Sequence, residues 1–319
     1  MVMPTYDRAD LLSKAVDSVL GQTYEDFELI VVDDGSGDGT LGMLAGYADP
    51  RLRVVPIEHC GIPGKVRNTG LRVARGKFVA FLDSDDIWLP TKLARQVEVL
   101  LRRSAVGLAC SNAGVIDAMG VDSRDQYLGS NAAGNGTEFE HLLRVNFIIN
   151  SSVVVRRTLV ERVGSFSEAP ELRHEDYDLW LRIAAVSEVV YLPETLMVYR
   201  EHLGSVRRGF TRCEHWIGLL AIMDNLDGFL EEEGSGKREL IRPRRAEILV
   251  HLAIAQAAAA QPSAAVRSLA AAVRCDTQAA TTTLLIRPIL YLPHVIRQGA
   301  TTIVTRRSVR SPDSSEAQR

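Results

Sequence analysis

Two short apolar runs in this chain each end abruptly in acid. Phe27-Glu28-Leu29-Ile30-Val31-Val32 runs into Asp33-Asp34-Gly35-Ser36, and Phe78-Val79-Ala80-Phe81-Leu82 runs into Asp83-Ser84-Asp85-Asp86. In open α/β sheets, ligands bind beyond the carboxyl ends of the strands. If the two strands are neighbours, both acid clusters face one crevice. Carboxylates gathered there repel and raise one another's pKa unless a cation or hydrogen-bond donors compensate. Carboxylate oxygens suit Mg²⁺ or Mn²⁺, which usually take one or two carboxylates together with substrate phosphates. The chemistry these acids point to is therefore that of a metal–diphosphate site. Acids after strands also cap helices and make turns, and the Asp33–Gly39 segment taken alone fits that reading equally well.

A third acidic segment is His174-Glu175-Asp176-Tyr177-Asp178, at the start of an amphipathic helix pattern. A helix N-terminus favours carboxylates electrostatically, which is one account of it. The other is a general base, with Asp176 and its neighbour Glu175 as the catalytic candidates. A hydroxyl is a poor nucleophile, and a carboxylate within reach can accept its proton as a new bond forms. Lys65 and Arg67 open the helix before the Asp83 strand, and an arginine there can bridge phosphate and carboxylate. Tyr6, just beyond the first short strand, can stack on a nucleobase or pack part-buried.

The elements that must position these residues are legible over the first two-thirds of the chain. Leu11, Leu12, Ala15, Val16, Val19 and Leu20 repeat at helical spacing, with Asp10 as an N-cap candidate. Apolar strands alternate with helical patterns as far as Leu101, which predicts a mainly parallel sheet with helices on both faces. Ala118–Gly136 reads as a loop, and Val189–Leu192 and Leu196–Tyr199 as separate strands. From about Thr211 the composition turns to Ala-, Leu- and Arg-rich helix. The expected organisation is a catalytic domain over 1–210, a helical extension over 211–308 and a polar tail over 309–319.

Other site types are excluded by residue type. Gly37-Asp38-Gly39-Thr40-Leu41-Gly42 fits the glycine spacing of a dinucleotide loop, but Asp33, Asp34 and Asp38 would repel pyrophosphate there. An EF-hand loop starting at Asp34 would need Glu where Ala45 stands. The net charge is −3, which gives no reason to expect a nucleic-acid partner. Cys60, Cys110, Cys213 and Cys275 form no CxxC or zinc-like spacing and read as free thiols of a reducing compartment.

The order of the motifs resembles family 2 glycosyltransferases with the GT-A fold. The matching residues are Pro4-Thr5-Tyr6-Asp7-Arg8, Ser18 to Tyr24, the Val31–Thr40 loop, Arg67-Asn68-Thr69-Gly70-Leu71, Ala74-Arg75-Gly76, Phe81 to Trp88, Glu175-Asp176, and Tyr199-Arg200-Glu201-His202 with Ser205. The resemblance covers about residues 2–206. It implies a single Rossmann-type sheet and an inverting, single-displacement transfer from a nucleotide-diphosphate sugar, UDP being favoured by family frequency. The acceptor would be a hydroxyl of a glycan or lipid-linked molecule in polysaccharide or glycoconjugate synthesis. Carried over residue by residue, Tyr6 stacks the base, Asp34 reads its edge, and Arg67 lies near the nucleotide, with Pro4, Thr5, Asp7 and Ser84 also donor-binding. Asp83, Asp85 and Asp86 cover the segment that holds the ribose and the metal, Mn²⁺ or Mg²⁺, with Asp85 and then Asp86 favoured as ligands; Asp176 is the base, and His202 approaches the diphosphate.

The chain departs from that pattern in places. Relatives usually have Asn at the position of Asp7. Only Met1-Val2-Met3 precede Pro4, so the first central strand is expected to be nearly missing, and a non-catalytic nucleotide-sugar-binding relative is the competing function. An NAD-dependent enzyme built on Gly37–Gly42 is a more distant one. No Gln-x-x-Arg-Trp segment follows Asp176, so one sugar per encounter is expected. The N-terminus lacks the layout of a signal peptide, which with the free thiols points to the cytoplasm. Residues 283–310 are basic and apolar, and read either as a peripheral contact with the inner membrane surface or as packed helices with outward arginines.

Overall fold

The structure is a computed structural model and describes residues 1–128, 138–170, 172, 174–201 and 211–290. It divides into two compact units, one spanning Met1–Ile241 and the other beginning at Arg242. The first holds every acid cluster.

Its sheet starts with β1 (Val2–Thr5), β2 (Leu29–Asp33) and β3 (Leu52–Pro56), all parallel, in the order β1-β2-β3. Every residue of β2 is buried, as its unbroken apolar run requires for a strand covered on both faces. The first strand is not missing. Val2, Met3, Pro4 and Thr5 pair in register with Ile30, Val31, Val32 and Asp33. Helix α1 (Ala9–Leu20) buries Leu12, Ala15, Val16 and Val19, the spacing of one helical face. Asp10 lies in its first turn rather than at its cap. The carboxylate that accepts from the first helical amide, Ala9, is Asp38, at 3.1 Å. Helix α2 (Thr40–Ala45) follows β2, and α3 (Pro63–Val73) follows β3. Gly70 of α3 lies directly on β1, and a Cβ there would stand 2.5 Å from the Val2 side chain. That close approach sets the helix that carries Arg67.

The second half of the sheet is mixed. It comprises β4 (Phe78–Ala80), β5 (Ile87–Trp88), β6 (Val106–Ile116), β7 (Asp122–Arg124), β8 (Val154–Arg156) and β9 (Glu188–Arg200). The order is β4-β8-β6-β9-β5, with β7 on β6. β8 runs antiparallel to both its neighbours, whereas β6 and β9 are parallel. A single bridge, Val2 to Phe81, joins the halves with parallel sense. The two acid-ended strands are thus not adjacent, because β1 lies between them. The parallel sense still brings Thr5, Asp33 and Asp83 to one edge. The stretches expected as separate strands at 189–192 and 196–199 form the one strand β9, with register shifts against β6 at Ser111–Ala113. The expected loop at 118–136 contains β7 and otherwise reaches beyond the described residues.

Helices α4 (Lys92–Arg102), α5 (Glu138–Arg144), α6 (Arg157–Arg162) and α7 (Glu175–Val186) complete the layers, with a 3-10 turn at Asn150–Ser152. Helix α8 (Arg212–Glu232) begins at the composition change but belongs to the first unit. It opens with a reciprocal cap between Thr211 and Glu214 and buries Leu219, Ile222, Met223, Leu226 and Leu230. In the second unit, α9 (Ile241–Ala258), α10 (Pro262–Cys275) and α11 (Thr277–Leu290) gather around Val250, Ala272 and Ala280. All four cysteines are free thiols. Among the described residues no helix is long and apolar enough to cross a membrane.

Candidate active site

At the end of β2 the chain turns sharply at Gly35, whose φ is +74°. A Cβ there would meet the His59 backbone nitrogen at 2.8 Å, so only glycine lets the loop after β3 lie against this turn. That loop fixes the acids. Asp34, almost fully buried, accepts from the amides of Cys60 and Gly61, each at 2.9 Å. Asp33 accepts from the Ser36 amide at 3.1 Å and from its hydroxyl. Asp7, at φ +46°, accepts from the Gly37 amide at 2.7 Å, and its own amide donates to Ser36 Oγ at 2.9 Å. Tyr6 is 43% exposed and stacks on His59, with ring centroids 4.2 Å apart. The charge of Asp7, then burial, pushes the Tyr6 phenol above its ordinary range. Pro4 is half-buried and Thr5 buried, its hydroxyl oxygen without a hydrogen-bond partner.

At the end of β4 the acids alternate in exposure. Asp83 and Asp85 are half-buried, whereas Ser84 and Asp86 are buried. Asp83 Oδ1 accepts from Arg67 Nη2 at 2.7 Å and from Asn150 Nδ2 at 2.9 Å. Asp86 is turned inward. Its Oδ2 accepts from Ser151 Oγ at 2.6 Å and its Oδ1 from the Arg200 amide at 3.0 Å. Burial, then the charges of Asp85 and Asp83, push its carboxyl well above the usual carboxylate range. The Arg200 side chain donates from Nε to the Asp85 carbonyl at 3.1 Å.

Arg67 joins this segment to α7. Its guanidinium, 8% exposed, is paired with Asp83 on one side and Glu175 on the other. Burial works against its charge, but Asp83 and Glu175, and beyond them Asp176, hold its pKa above the ordinary value. Burial pushes the Glu175 carboxyl up to about 7; Arg67 opposes this and Asp176 adds to it. Asp176 is half-buried in the first turn of α7, its Oδ1 accepting from the Tyr177 amide at 2.7 Å. Asp178 faces away into the core, bound to Arg182 and to Asn225 at 2.6 Å each. His202 lies outside the described residues.

The structure therefore joins Arg67, Asp83 and Glu175 by ion pairs, with the Asp176 charge near enough to act on Arg67 and Glu175, and groups Tyr6, Asp7 and Asp34 on the same sheet edge. Sequence reasoning missed His59, Asn150 and Ser151 as site-building residues. None carries a pattern of its own; each is found only through the partner it holds. Among the described residues no group of three His, Cys, Asp or Glu side chains could hold a metal ion. The donor set nevertheless fits a hard cation shared with a diphosphate, which needs only one or two carboxylates from the protein. Half-buried Asp83 and Asp85 are the carboxylates that could supply them, and Asp86 is buried with both oxygens hydrogen-bonded to Ser151 and Arg200.

A three-layer α/β unit with acid-ended strands along one edge is the architecture of the GT-A class of glycosyltransferases. Residues 1–164 match Glycosyl transferase family 2, and the chain belongs to that family. It is 34% identical, over 57% of its length and 68% of the relative's, to the UDP-Glc:alpha-D-GlcNAc-diphosphoundecaprenol beta-1,3-glucosyltransferase WfgD of Escherichia coli. Its fold is similar to that of S. aureus TarS 1-349 in complex with UDP-GlcNAc, with a TM-score of 0.60 and 18% identity over 90% of each chain. It is also similar to the mannosyltransferase PcManGT from Pyrobaculum calidifontis in complex with GDP-Man and Mn2+, with a TM-score of 0.57 and 21% identity over 94% of this chain and 82% of that one.

Proposed function

We propose that this glycosyltransferase moves one sugar from a nucleotide-diphosphate donor, UDP-linked in the favoured case, to a hydroxyl of a lipid-linked or glycan acceptor with inversion. The observation that carries the reading is the Arg67 bridge. One buried guanidinium ties the Asp83 segment to the N-terminus of α7, so the donor-side acids and Asp176 face a common space. The similarity to WfgD, whose name specifies a UDP-sugar donor and a diphosphoundecaprenol-linked acceptor, supports the donor and acceptor classes.

The Tyr6–Asp34 group receives the nucleoside, and Asp83 and Asp85 flank its diphosphate. A divalent cation, Mn²⁺ or Mg²⁺, would supply charge stabilisation for the departing diphosphate when bound there. Asp176 accepts the proton of the acceptor hydroxyl as that oxygen attacks the anomeric carbon. Glu175 is already committed to Arg67 and holds α7 in place instead of sharing the proton transfer. Residues 283–310, of which 291–310 lie outside the described residues, are proposed as a peripheral contact with the inner membrane surface, where a lipid-linked acceptor lies. Leu285 in that segment is 70% exposed. Membrane pelleting at low and high salt checks this, and a fully soluble protein at low salt refutes it.

The decisive experiment is turnover of a nucleotide-sugar panel with Mn²⁺ or Mg²⁺, comparing the native chain with Asp176→Asn. The expected result is loss of transfer by at least about 100-fold, the scale of general-base contributions, with donor binding kept. Normal transfer by the variant overturns the base assignment. Binding without turnover by the native chain, with acceptors supplied, overturns the transfer reading.

A further inference from the structure

We propose that His59 is a positioning residue for the donor's nucleobase, clamping the Tyr6 ring and the Asp34 segment into one preformed face. The inference rests on the donor reading above and adds to it a residue outside the motifs of the family resemblance.

The His59 ring is stacked on Tyr6 at 4.2 Å between centroids, with 25° between planes. Its Nδ1 lies 2.9 Å from the Asp34 carbonyl oxygen and 3.1 Å from an Asp34 carboxylate oxygen. A carbonyl and a carboxylate only accept, so Nδ1 carries the proton and donates. That hydrogen bond fixes the ring plane, and the ring plane fixes Tyr6. The grip is reciprocal, because the amides of Cys60 and Gly61, next along the same loop, hold the Asp34 carboxylate at 2.9 Å each. Gly35 is what lets the loop come close enough.

Tyr6 remains 43% exposed with His59 against one face, so ring surface is left for a ligand. A tyrosine on a loop otherwise loses rotamer freedom when a base stacks on it, which weakens binding. A ring already held in place avoids that loss. His59 therefore acts through Tyr6 and Asp34, and its effect is confined to the nucleoside end of the donor.

The test is calorimetric binding of UDP, GDP and inorganic pyrophosphate to the full chain carrying Mn²⁺, for the native protein, His59→Ala, His59→Phe and Tyr6→Ala, and for Tyr6→Ala combined with His59→Ala. His59→Ala is expected to weaken the preferred nucleotide by about tenfold, the scale of one aromatic pair, with pyrophosphate changed by less than about twofold. His59→Phe restores part of the loss, because it keeps the stack without the hydrogen bond. In the double variant His59→Ala adds less than it costs alone, because only its hold on Asp34 is left to lose. In turnover, KM for the donor rises and kcat stays. Unchanged nucleotide affinity in His59→Ala overturns the proposal and leaves the donor reading intact. Equal losses for nucleotide and pyrophosphate also overturn it, by showing general collapse of the loop, as does full additivity in the double variant. Failure of the native chain to bind either nucleotide overturns both readings. If His59→Ala does not fold, His59→Phe and His59→Asn carry the test, since each keeps one half of the clamp.

Discussion

The two acid-ended strands carry the same sequence signature and are held in opposite ways. At the end of β2, Asp33 and Asp34 are held by backbone amides and one hydroxyl, from Ser36, Cys60 and Gly61, with the His59 ring nitrogen 3.1 Å from Asp34. At the end of β4, Asp83 is balanced by the Arg67 guanidinium, and Arg200 lies along the Asp85–Asp86 segment. Amide dipoles hold a carboxylate in fixed geometry without a counter-charge, which suits recognition of a neutral base edge. A guanidinium shared between carboxylates can exchange one partner for an incoming anion, which suits a diphosphate and its cation. The same letters in sequence thus meet two electrostatic settings, and the neighbouring elements decide which.

The hardest test of this contrast removes the shared cation. Arg67→Met leaves Asp83 and Glu175 facing each other across a buried space, and Arg67 is nearly as inaccessible as the core. The expected loss is about 3–5 kcal/mol of folding stability by chemical denaturation, the cost of breaking a buried pair. Adding Glu175→Gln should recover part of it. If Arg67→Met costs no more than a change at Asp34, the contrast between the ends of the sheet fails.

Glu175 gives the contrast a pH signature. Burial raises its carboxyl from the ordinary 4.5 to about 7, with Arg67 opposing and Asp176 adding. The folded chain therefore binds this proton more tightly than the unfolded chain does. Between about pH 4.5 and 7 the unfolded state holds fewer protons, so this group makes stability fall as pH rises through that window. Glu175→Gln removes this contribution and should flatten the profile by on the order of 3 kcal/mol across it. A parallel profile for the variant would show that Arg67 keeps Glu175 ionised throughout.

Asp34→Asn should cost less, about 1–2 kcal/mol, because Asn keeps one acceptor oxygen and opposes only one of the two amides. The effect should be local, read as faster hydrogen exchange at Cys60 and Gly61 with the Arg67 network unchanged. Exchange that rises equally on both sides of the sheet would mean the two clusters are one cooperative unit.

Much of this was legible in the sequence. The strands ending at Asp33 and at Ala80, and the helix over Ala9–Leu20, follow from apolar runs and helical period alone. The first strand was underrated, because Val2 to Thr5 draw their stability from pairing with β2 and not from their own length. Asp86 was read as a ligand candidate alongside Asp85. Exposure separates them, and exposure at a turn depends on Ser151 and Arg200, distant in sequence. The first compact unit runs on to Ile241, past the change in composition near 210, for a similar reason. Composition marks where α8 begins, but the bond from Asn225 to Asp178 fixes where it packs.

The smallest expected effect is also the most discriminating for the β2 end. Asp7 departs from the Asn usual in relatives, yet its visible work is to accept one amide hydrogen bond from Gly37 with Oδ1. Asn offers the same oxygen, and Asn tolerates the left-handed backbone of φ +46° as well as Asp does. Asp7→Asn should therefore change stability by less than about 0.5 kcal/mol, as for a surface change that breaks no feature of the fold. The Tyr6 phenol should move back toward its ordinary value, because the Asp7 charge is the largest cause of its rise. A nuclear magnetic resonance titration of Tyr6 reads that shift directly. A stability loss comparable to that of Asp34→Asn would mean that the Asp7 charge itself holds the turn. The β2 end would then depend on net charge as the β4 end does, and the contrast between amide-held and cation-held acids would dissolve.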